Sequence, residues 1–194
     1  FSLIGDEISR IDSIVNRLLG FARPARPELA EIKLHDVLAE SLQLVQEQAR
    51  GKGVELVSRL DADDDHTLAD ANLIKQAFVN FFLNALEAMD EGGTLTVHTT
   101  TERAADDAID PELRSRDRIS VHISDTGCGI PPEDVRRVFD PFFTTKARGT
   151  GLGLSVAHGI LQEHGVMIDV ESRVGEGTSF WLAFSTLEQA EAPV

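Results

Sequence analysis

The chain has 194 residues, of which 42% are apolar and 26% are charged, a composition typical of a globular protein large enough to bury a core. Its 33 acidic and 18 basic side chains give a formal charge of −15, which argues against nucleic acid as a partner because phosphate contacts need lysine or arginine. The single cysteine excludes an intramolecular disulfide and no apolar run is long enough to span a bilayer, so a cytoplasmic location is expected.

The chain begins with a helical pattern. Between Ile4 and Ala22 the apolar residues alternate spacings of four and three, which predicts a coiled-coil-like helix. Pro24 and Pro27 end it, since proline removes a backbone donor. We therefore divide the chain into a helical arm, residues 1–27, and a domain, residues 28–194. The arm either packs on its own domain or forms a dimer or bundle, and its polar outer positions favour the second.

The domain contains helices and strands in mixed order. Helices are predicted over 36–50, 70–89 and 150–164, and strands over 28–34, 54–60, 95–101, 119–124, 166–171 and 179–185. The polar residues between the third and fourth of these strands are interpreted as an exposed hairpin loop, and residues 61–65 as a solvated acidic turn. Because helices and strands do not alternate strictly, we predict an α+β, two-layer sandwich with helices on one face of a mixed, mostly antiparallel sheet.

Two asparagines mark the long helix. Asn80 and Asn84 lie one turn apart, so their amides project from the same face. Asparagine is a poor helix former, and two of them beside phenylalanines call for an explanation. An amide oxygen is a ligand that Mg²⁺ accepts beside phosphate oxygens, although a polar core would also account for the pair.

Three glycine-containing motifs follow in order. Asp125-Thr126-Gly127-Cys128-Gly129-Ile130 places a carboxylate, which can accept from the amino group of adenine, beside flexible backbone, although such a motif is as often a plain turn. Gly149-Thr150-Gly151-Leu152-Gly153-Leu154 opens a helix, where free N–H groups favour phosphate. Between them lies Phe139 followed by the segment D-P-F-F-T-T-K, which runs from Asp140 to Lys146. The third glycine-containing motif is Gly175-Glu176-Gly177-Thr178.

This ordered set resembles the catalytic ATP-binding domain of bacterial two-component sensor histidine kinases, over about residues 30–186. The N-A-L-E-A-M form of the asparagine helix and the short T-T-K lid are most similar to the nitrogen-regulation type. The arm resembles the end of the dimerisation and phosphotransfer hairpin of that family. The resemblance implies the sandwich that histidine kinases share with gyrase and chaperone ATPases, the Bergerat fold.

The resemblance also implies roles for single residues. Asn84 matches the Mg²⁺ ligand, Asn80 the neighbouring asparagine on the phosphate side, and Asp125 the carboxylate that binds adenine. Glu87 and Lys146 are implied, with Asn80, to serve the transfer, Glu87 by deprotonating or positioning the acceptor histidine. The remaining residues implied to bind ATP are Ala88, Gly127, Gly129, Ile130, Thr145, Gly149, Thr150, Gly151, Leu152, Gly153, Leu154 and Thr178, and Lys146 belongs with them.

The implied reaction needs components beyond these motifs. We expect ATP and Mg²⁺ as cofactors. The expected partners are a phosphoacceptor histidine on a dimerisation helix, a response-regulator receiver domain and a second copy of the chain in a homodimer. The acceptor motif of the family is absent from the sequence, so the acceptor is expected upstream of Phe1. Two alternatives remain. An ATP-hydrolysing enzyme of the same fold is disfavoured because Asn80 stands where such enzymes carry a glutamate, and a nucleotide-independent interaction module is disfavoured by the intact motifs.

Overall fold

The computed structural model describes residues 27–102, 117–146 and 149–187. The predicted helical arm and the predicted hairpin loop fall almost wholly outside these residues. The strands are β1 (Ala30–Lys33), β2 (Glu55–Leu60), β3 (His66–Ala69), β4 (Thr94–Glu102), β5 (Arg118–Asp125), β6 (Met167–Arg173) and β7 (Gly177–Ser185). The helices are α1 (Leu34–Gly51), α2 (Ala71–Ala88), α3 (Pro132–Val135) and α4 (Gly153–Glu163). None of the helices in these ranges is both long and apolar enough to cross a membrane.

Five strands form one sheet in the order β2-β4-β5-β7-β6. The β2–β4 pair is parallel and the other three pairs are antiparallel. Parallel neighbours need a crossover connection, and α2 supplies it between β2 and β4. The predicted mixed, mostly antiparallel sandwich is therefore confirmed.

The core lies between this sheet and the helices. Alternate residues of the central strands, such as Val97, Val121 and Leu182, are fully buried against the helical layer. From α2, Phe78 and Phe82 enter the same core and stack with a ring separation of 6.2 Å. Burial of this apolar face, worth about 25 cal/mol per Å², holds α2 on the sheet.

Helix α2 is capped at both ends by charged side chains. At its start the Asp70 carboxylate accepts hydrogen bonds from the backbone N–H groups of Asn72 and Leu73, at 3.0 and 3.2 Å. At its end the Lys52 ammonium donates to the carbonyls of Leu86 and Met89, at 2.6 and 2.8 Å. Both charges have the sign that the helix dipole favours, and both satisfy backbone groups that a helix end leaves unpaired.

The structure differs from the sequence prediction around the acidic turn. Strand β3, which was not predicted, pairs with β1 in a separate two-stranded antiparallel sheet. The interpretation of residues 61–65 as a solvated turn is wrong for Asp65, whose side chain is 16% exposed. Asp65 caps α1, because its carbonyl and its carboxylate accept from the N–H groups of Leu34 and His35.

The last helix begins later than predicted. The pattern predicted a helix from residue 150, whereas α4 begins at Gly153. Gly151 has a φ of +65°, a left-handed conformation that a right-handed helix cannot contain. The glycine-rich segment therefore stays an irregular loop that leads into the helix.

We expect Phe82→Ala to lower the free energy of unfolding by about 3–5 kcal/mol, because the variant leaves a cavity where a fully buried ring was packed. Urea unfolding followed by circular dichroism measures the change. The matched control is Phe142→Ala, whose ring is 65% exposed and for which a change within about 0.5 kcal/mol is expected. Equal losses in the two variants would contradict this assignment of the core.

Candidate functional site

The site is built on the face of α2 that points away from the sheet. Asn80, Asn84 and Glu87 are spaced by four and three residues and therefore lie along one side of the helix. The opposite side carries Phe78 and Phe82 into the core. The two asparagines are half-buried rather than enclosed, so their amides face an open cavity. The polar-core explanation of the pair is thereby wrong.

That cavity lies between α2, the start of α4 and the loops after β5. It has a volume of about 320 Å³, within the range of small-molecule sites. Most of the residues that the sequence predicted for the site line it together: Asn80, Asn84, Glu87, Ala88, Gly129, Ile130, Thr145, Lys146, Gly149, Thr150, Gly151, Gly153, Leu154 and Thr178. The three glycine-containing motifs and the asparagine helix, which are up to a hundred residues apart in sequence, thus meet at one place.

Three predicted residues do not line this cavity. Asp125 is 7% exposed and lines a second, neighbouring cavity, and Thr178 lies in the wall of both. Gly127 is buried behind the loop, and Leu152 is 2% exposed in the core. In the cavity without ligand, Gly127 and Leu152 therefore lie behind the wall, and Asp125 faces the neighbouring cavity.

The loop after β5 is held close to the end of α2. The N–H of Gly127 donates to the Asp125 carboxylate at 2.8 Å, and the N–H of Cys128 donates to the carbonyl of Ala88 at 3.0 Å. A Cβ at position 127 would lie 2.7 Å from Asp125 Oδ1 and 2.8 Å from Ala88 Cβ. No side chain fits there, so glycine at position 127 allows the loop to approach the helix.

The Asp125 carboxyl has an unusual environment. Its burial raises the pKa of the group above the ordinary value of 3.8, because a low-dielectric surrounding disfavours the charged form. Backbone hydrogen bonds from Gly127 and Thr178 and the positive charge of Lys146 act in the opposite direction and are weaker. A buried carboxyl with a raised pKa beside a cavity is a recurring feature of binding sites.

A second close approach fixes the segment that precedes α4. The N–H of Phe142 donates to the carbonyl of Gly151 at 2.9 Å, and a Cβ on Gly151 would lie 2.4 Å from the carbonyl carbon of Phe142. The guanidinium of Arg137, which precedes this segment in the chain, lies 4.4 Å from the centre of the Phe143 ring. The D-P-F-F-T-T-K segment is therefore packed against the glycine loop at the edge of the cavity.

Lys146 reaches across the cavity to α2. Its Nζ donates to Asn84 Oδ1 at 2.9 Å and to Glu87 Oε2 at 3.0 Å, and lies 3.4 Å from the carbonyl oxygen of Asn84. Glu87 and Lys146 are the only charged side chains among the residues that line the cavity in the described part of the chain. The predicted phosphate-side residues are thus connected to one another.

Five residues of the cavity wall were not predicted from the sequence: Leu83, Cys128, Val138, Phe143 and Thr144. Leu83 follows Asn80 by three residues, so helical spacing alone contains a signal for it. Cys128, Phe143 and Thr144 lie inside the motifs that were recognised. No local pattern distinguishes Val138, which reaches the cavity only through the turn after α3.

A sequence profile described as "Histidine kinase-, DNA gyrase B-, and HSP90-like ATPase" matches residues 69–188. Sensor histidine kinase ZraS of Salmonella typhi is 32% identical over 96% of this chain, which spans 38% of ZraS. The crystallised catalytic domain of histidine kinase ThkA is 31% identical, with a TM-score of 0.68 over 82% of this chain and 96% of that domain.

Two longer solved structures are also similar. ThkA in complex with the response regulator protein TrrA aligns over 96% of this chain and 51% of ThkA, with a TM-score of 0.74 and 28% identity. Full-length ShkA in complex with AMPPNP aligns over 91% of this chain and 36% of ShkA, with a TM-score of 0.73 and 27% identity.

We expect Asp125→Asn to keep the fold, because an amide oxygen can still accept from the N–H of Gly127. The pKa of Asp125 is raised in the folded state, so the unfolded chain loses this proton at a lower pH than the folded one. The wild type should therefore lose stability relative to this variant as pH rises from below 3.8 through the raised pKa. Above that pKa the difference should be constant. Urea unfolding of both proteins between pH 3 and 8 measures it.

The control for this experiment is Asp169→Asn, because Asp169 is exposed on β6. Its stability difference from the wild type, measured over the same pH range, shows what the same substitution does at an exposed position. If the wild type instead gained stability over Asp125→Asn as pH rises, the carboxyl would be stabilised in its charged form and the environment described above would be wrong.

Proposed function

The chain belongs to the family of histidine kinase-, DNA gyrase B- and HSP90-like ATPases, and we propose that it binds ATP and acts as the catalytic domain of a sensor histidine kinase. The observation that carries this proposal is the meeting of Asn80 and Asn84 with the glycine loop of α4 around one cavity. In this proposal the domain transfers the γ-phosphoryl group of ATP to a histidine. A response regulator then receives the group from that histidine.

The cavity has two chemically different ends, which support one orientation of the nucleotide. Near the buried Asp125, the wall consists of Ile130, Gly129 and the hydroxyl of Thr178, which suits a flat base. At the other end lie Asn84 and the irregular loop that opens α4. The first N–H groups of a helix and the positive end of its dipole favour phosphate, so we propose that the triphosphate lies at this end.

For adenine to contact Asp125, the wall between the two cavities must open. Thr178 lies between the two cavities and Ser172 Oγ lies 2.9 Å from its hydroxyl, so these side chains form a polar partition. In our proposal the Asp125 carboxylate accepts from the adenine amino group at this partition. Ala88, at the end of α2, offers the base no aromatic ring, so the base affinity rests on this polar contact.

The donor set on α2 fits a divalent cation. Asn84 Oδ1 and Glu87 Oε2 both accept from one ammonium group, which shows that these oxygens converge on a single cation position. We propose Asn84 as the Mg²⁺ ligand from the protein, with phosphate oxygens completing the shell. When bound, Mg²⁺ neutralises charge on the phosphate oxygens.

Asn80 favours transfer over hydrolysis. Its Oδ1 would lie 3.8 Å from a Cβ at Gly153, so the amide faces the start of α4 where the phosphates are placed. An amide can orient a phosphate oxygen but cannot accept the proton of an attacking water. We propose that Asn80 positions the phosphates and that Lys146 neutralises their charge. Glu87, with a side chain 54% exposed at the cavity edge, can orient or deprotonate an incoming imidazole.

The acceptor histidine is proposed to come from a dimerisation domain of a homodimer. All six histidines of this sequence lie in the described ranges, and none of them lines the cavity. The ThkA structure contains a response regulator, which supports such a partner for this chain. A cytoplasmic location follows from the need for ATP and remains part of this proposal.

We expect ATP to bind the wild type in calorimetric titration and Asp125→Asn to weaken binding at least tenfold, since a lost hydrogen bond to a charged group costs about 1.5–3 kcal/mol. Asn84→Ala should reduce the gain in affinity that Mg²⁺ provides and change binding without Mg²⁺ much less. Asn72→Ala, an exposed asparagine on the same helix, is the control and should behave as the wild type. A folded wild type that binds no nucleotide would contradict the proposal.

A second experiment distinguishes a kinase from an ATPase. Mixed with a histidine-containing dimerisation domain as a separate polypeptide, the chain should transfer ³²P from labelled ATP to form an acid-labile, alkali-stable phosphoryl bond. Free phosphate should appear more slowly, because Asn80 cannot serve as a base for water. Fast phosphate release without labelled histidine would instead support the ATP-hydrolysing alternative.

A further inference from the structure

We propose that the Lys146 ammonium and a divalent cation compete for the same oxygens of α2, so that a cation enters this site only when nucleotide phosphates draw the lysine away. The inference rests on the proposed function, because it concerns regulation of the same cavity. It assigns to Lys146 a role before catalysis: this residue makes cation binding depend on nucleotide binding.

The contact geometry is that of a cation site. Lys146 Nζ lies 2.9 Å from Asn84 Oδ1, 3.0 Å from Glu87 Oε2 and 3.4 Å from the carbonyl oxygen of Asn84. Amide, carboxylate and backbone carbonyl oxygens are the ligand types that hard divalent cations take in proteins. Because Asn84 and Glu87 are three residues apart on one helix, the fold of α2 keeps both side chains on the same face.

Simultaneous occupation by both cations is unfavourable. An ammonium hydrogen bonded to Asn84 Oδ1 and Glu87 Oε2 fills the space in front of the lone pairs that a metal ion needs. A second cation at about 4 Å would also be repelled, since even in bulk water two unit charges at that distance interact by about 1 kcal/mol. The lysine and the metal ion therefore exclude each other.

Lys146 is placed so that its side chain can change partner while its backbone stays. Its N–H donates to Thr144 Oγ1 at 3.1 Å, and Phe142 on the same segment is hydrogen bonded to Gly151. The lysine side chain is 31% exposed, so leaving Glu87 requires no opening of the core. This segment is hydrogen bonded to the glycine-rich loop before α4, where we propose that the triphosphate lies. The ammonium can therefore reach phosphate oxygens by rotation of the lysine side chain alone.

The consequence is an exchange of charges. The protein has a formal charge of −15, and ATP adds further negative charge to a cavity whose only lining cation in the described ranges is Lys146. When the ammonium moves to the phosphates, Asn84 and Glu87 lose their cation and attract another. Nucleotide and divalent cation are therefore expected to strengthen each other's binding, and Lys146 is the residue that couples them.

The test measures Mn²⁺ binding to the nucleotide-free protein, from the loss of the electron paramagnetic resonance signal of free Mn²⁺. Lys146→Met should bind Mn²⁺ about fivefold or more tightly than the wild type, the factor that corresponds to removing a repulsion of about 1 kcal/mol. The matched control is Lys75→Met, because Lys75 pairs with Glu40 at a similar side-chain exposure, 29%, away from the cavity. It should bind Mn²⁺ as the wild type does.

A double variant locates the gained ion. The variant that combines Lys146→Met with Glu87→Gln should lose the gain in Mn²⁺ affinity. If Mn²⁺ instead bound at another group of possible ligands, such as Asp64, Asp65 and His66, the gain would remain and the proposal would be overturned. Equal Mn²⁺ affinity of the wild type and Lys146→Met would also overturn it. Urea unfolding confirms that each variant is folded.

Parallel titrations with ATP, one in EDTA and one in excess Mg²⁺, separate this inference from the proposed function. A wild type that binds ATP while Lys146→Met gains no Mn²⁺ affinity would refute the competition alone. A wild type that binds ATP under neither condition, beside a Lys146→Met variant that gains Mn²⁺ affinity, would refute the proposed function and leave the cation position established.

Discussion

Helix α2 must satisfy two opposite solvation requirements at once, and the site depends on this constraint. One face buries Phe78 and Phe82 in the core, and the other holds Asn80 and Asn84 at an open cavity. The buried face sets the rotation of the helix, because turning the asparagines inward would bury unpaired amides and expose phenyl rings. The position of the amides is therefore a consequence of hydrophobic packing, not of contacts within the cavity.

The ends of α2 connect this constraint to the rest of the domain. At its start, Asp70 also accepts from the N–H of Glu28 at 3.1 Å, and its own N–H donates to Nε2 of His164 at the end of α4. Nδ1 of His164 lies 2.7 Å from the carbonyl oxygen of Ile160, so the ring contacts both the start of α2 and the last turn of α4. The two helices that form the cavity are thus joined at the ends far from it.

The charge distribution around the cavity suits the anion that we propose for it, although the chain as a whole is strongly acidic. The cavity wall in the described residues contains one carboxylate, Glu87, and Lys146 pairs with it. The remaining lining groups are amides, hydroxyls, the thiol of Cys128, apolar side chains and glycine backbone, and the start of α4 contributes a partial positive charge. The other acidic side chains of the described residues do not line this cavity, and the raised pKa of Asp125 reflects its burial behind the wall.

The sequence by itself determined the local elements and the kinds of residue at the site. Its periodicity located α1, α2 and the five strands of the main sheet, because amphipathic spacing is a local signal. Most of the cavity wall was predicted from the resemblance of its motifs to those of histidine kinases. The periodicity missed β3, since four residues form a strand only by pairing with β1. Only the tertiary structure decided that Asp65 caps α1, that Asp125 lies behind the cavity wall and that Val138 reaches the cavity. Those outcomes depend on contacts between segments far apart in the chain, whose energies no local pattern contains.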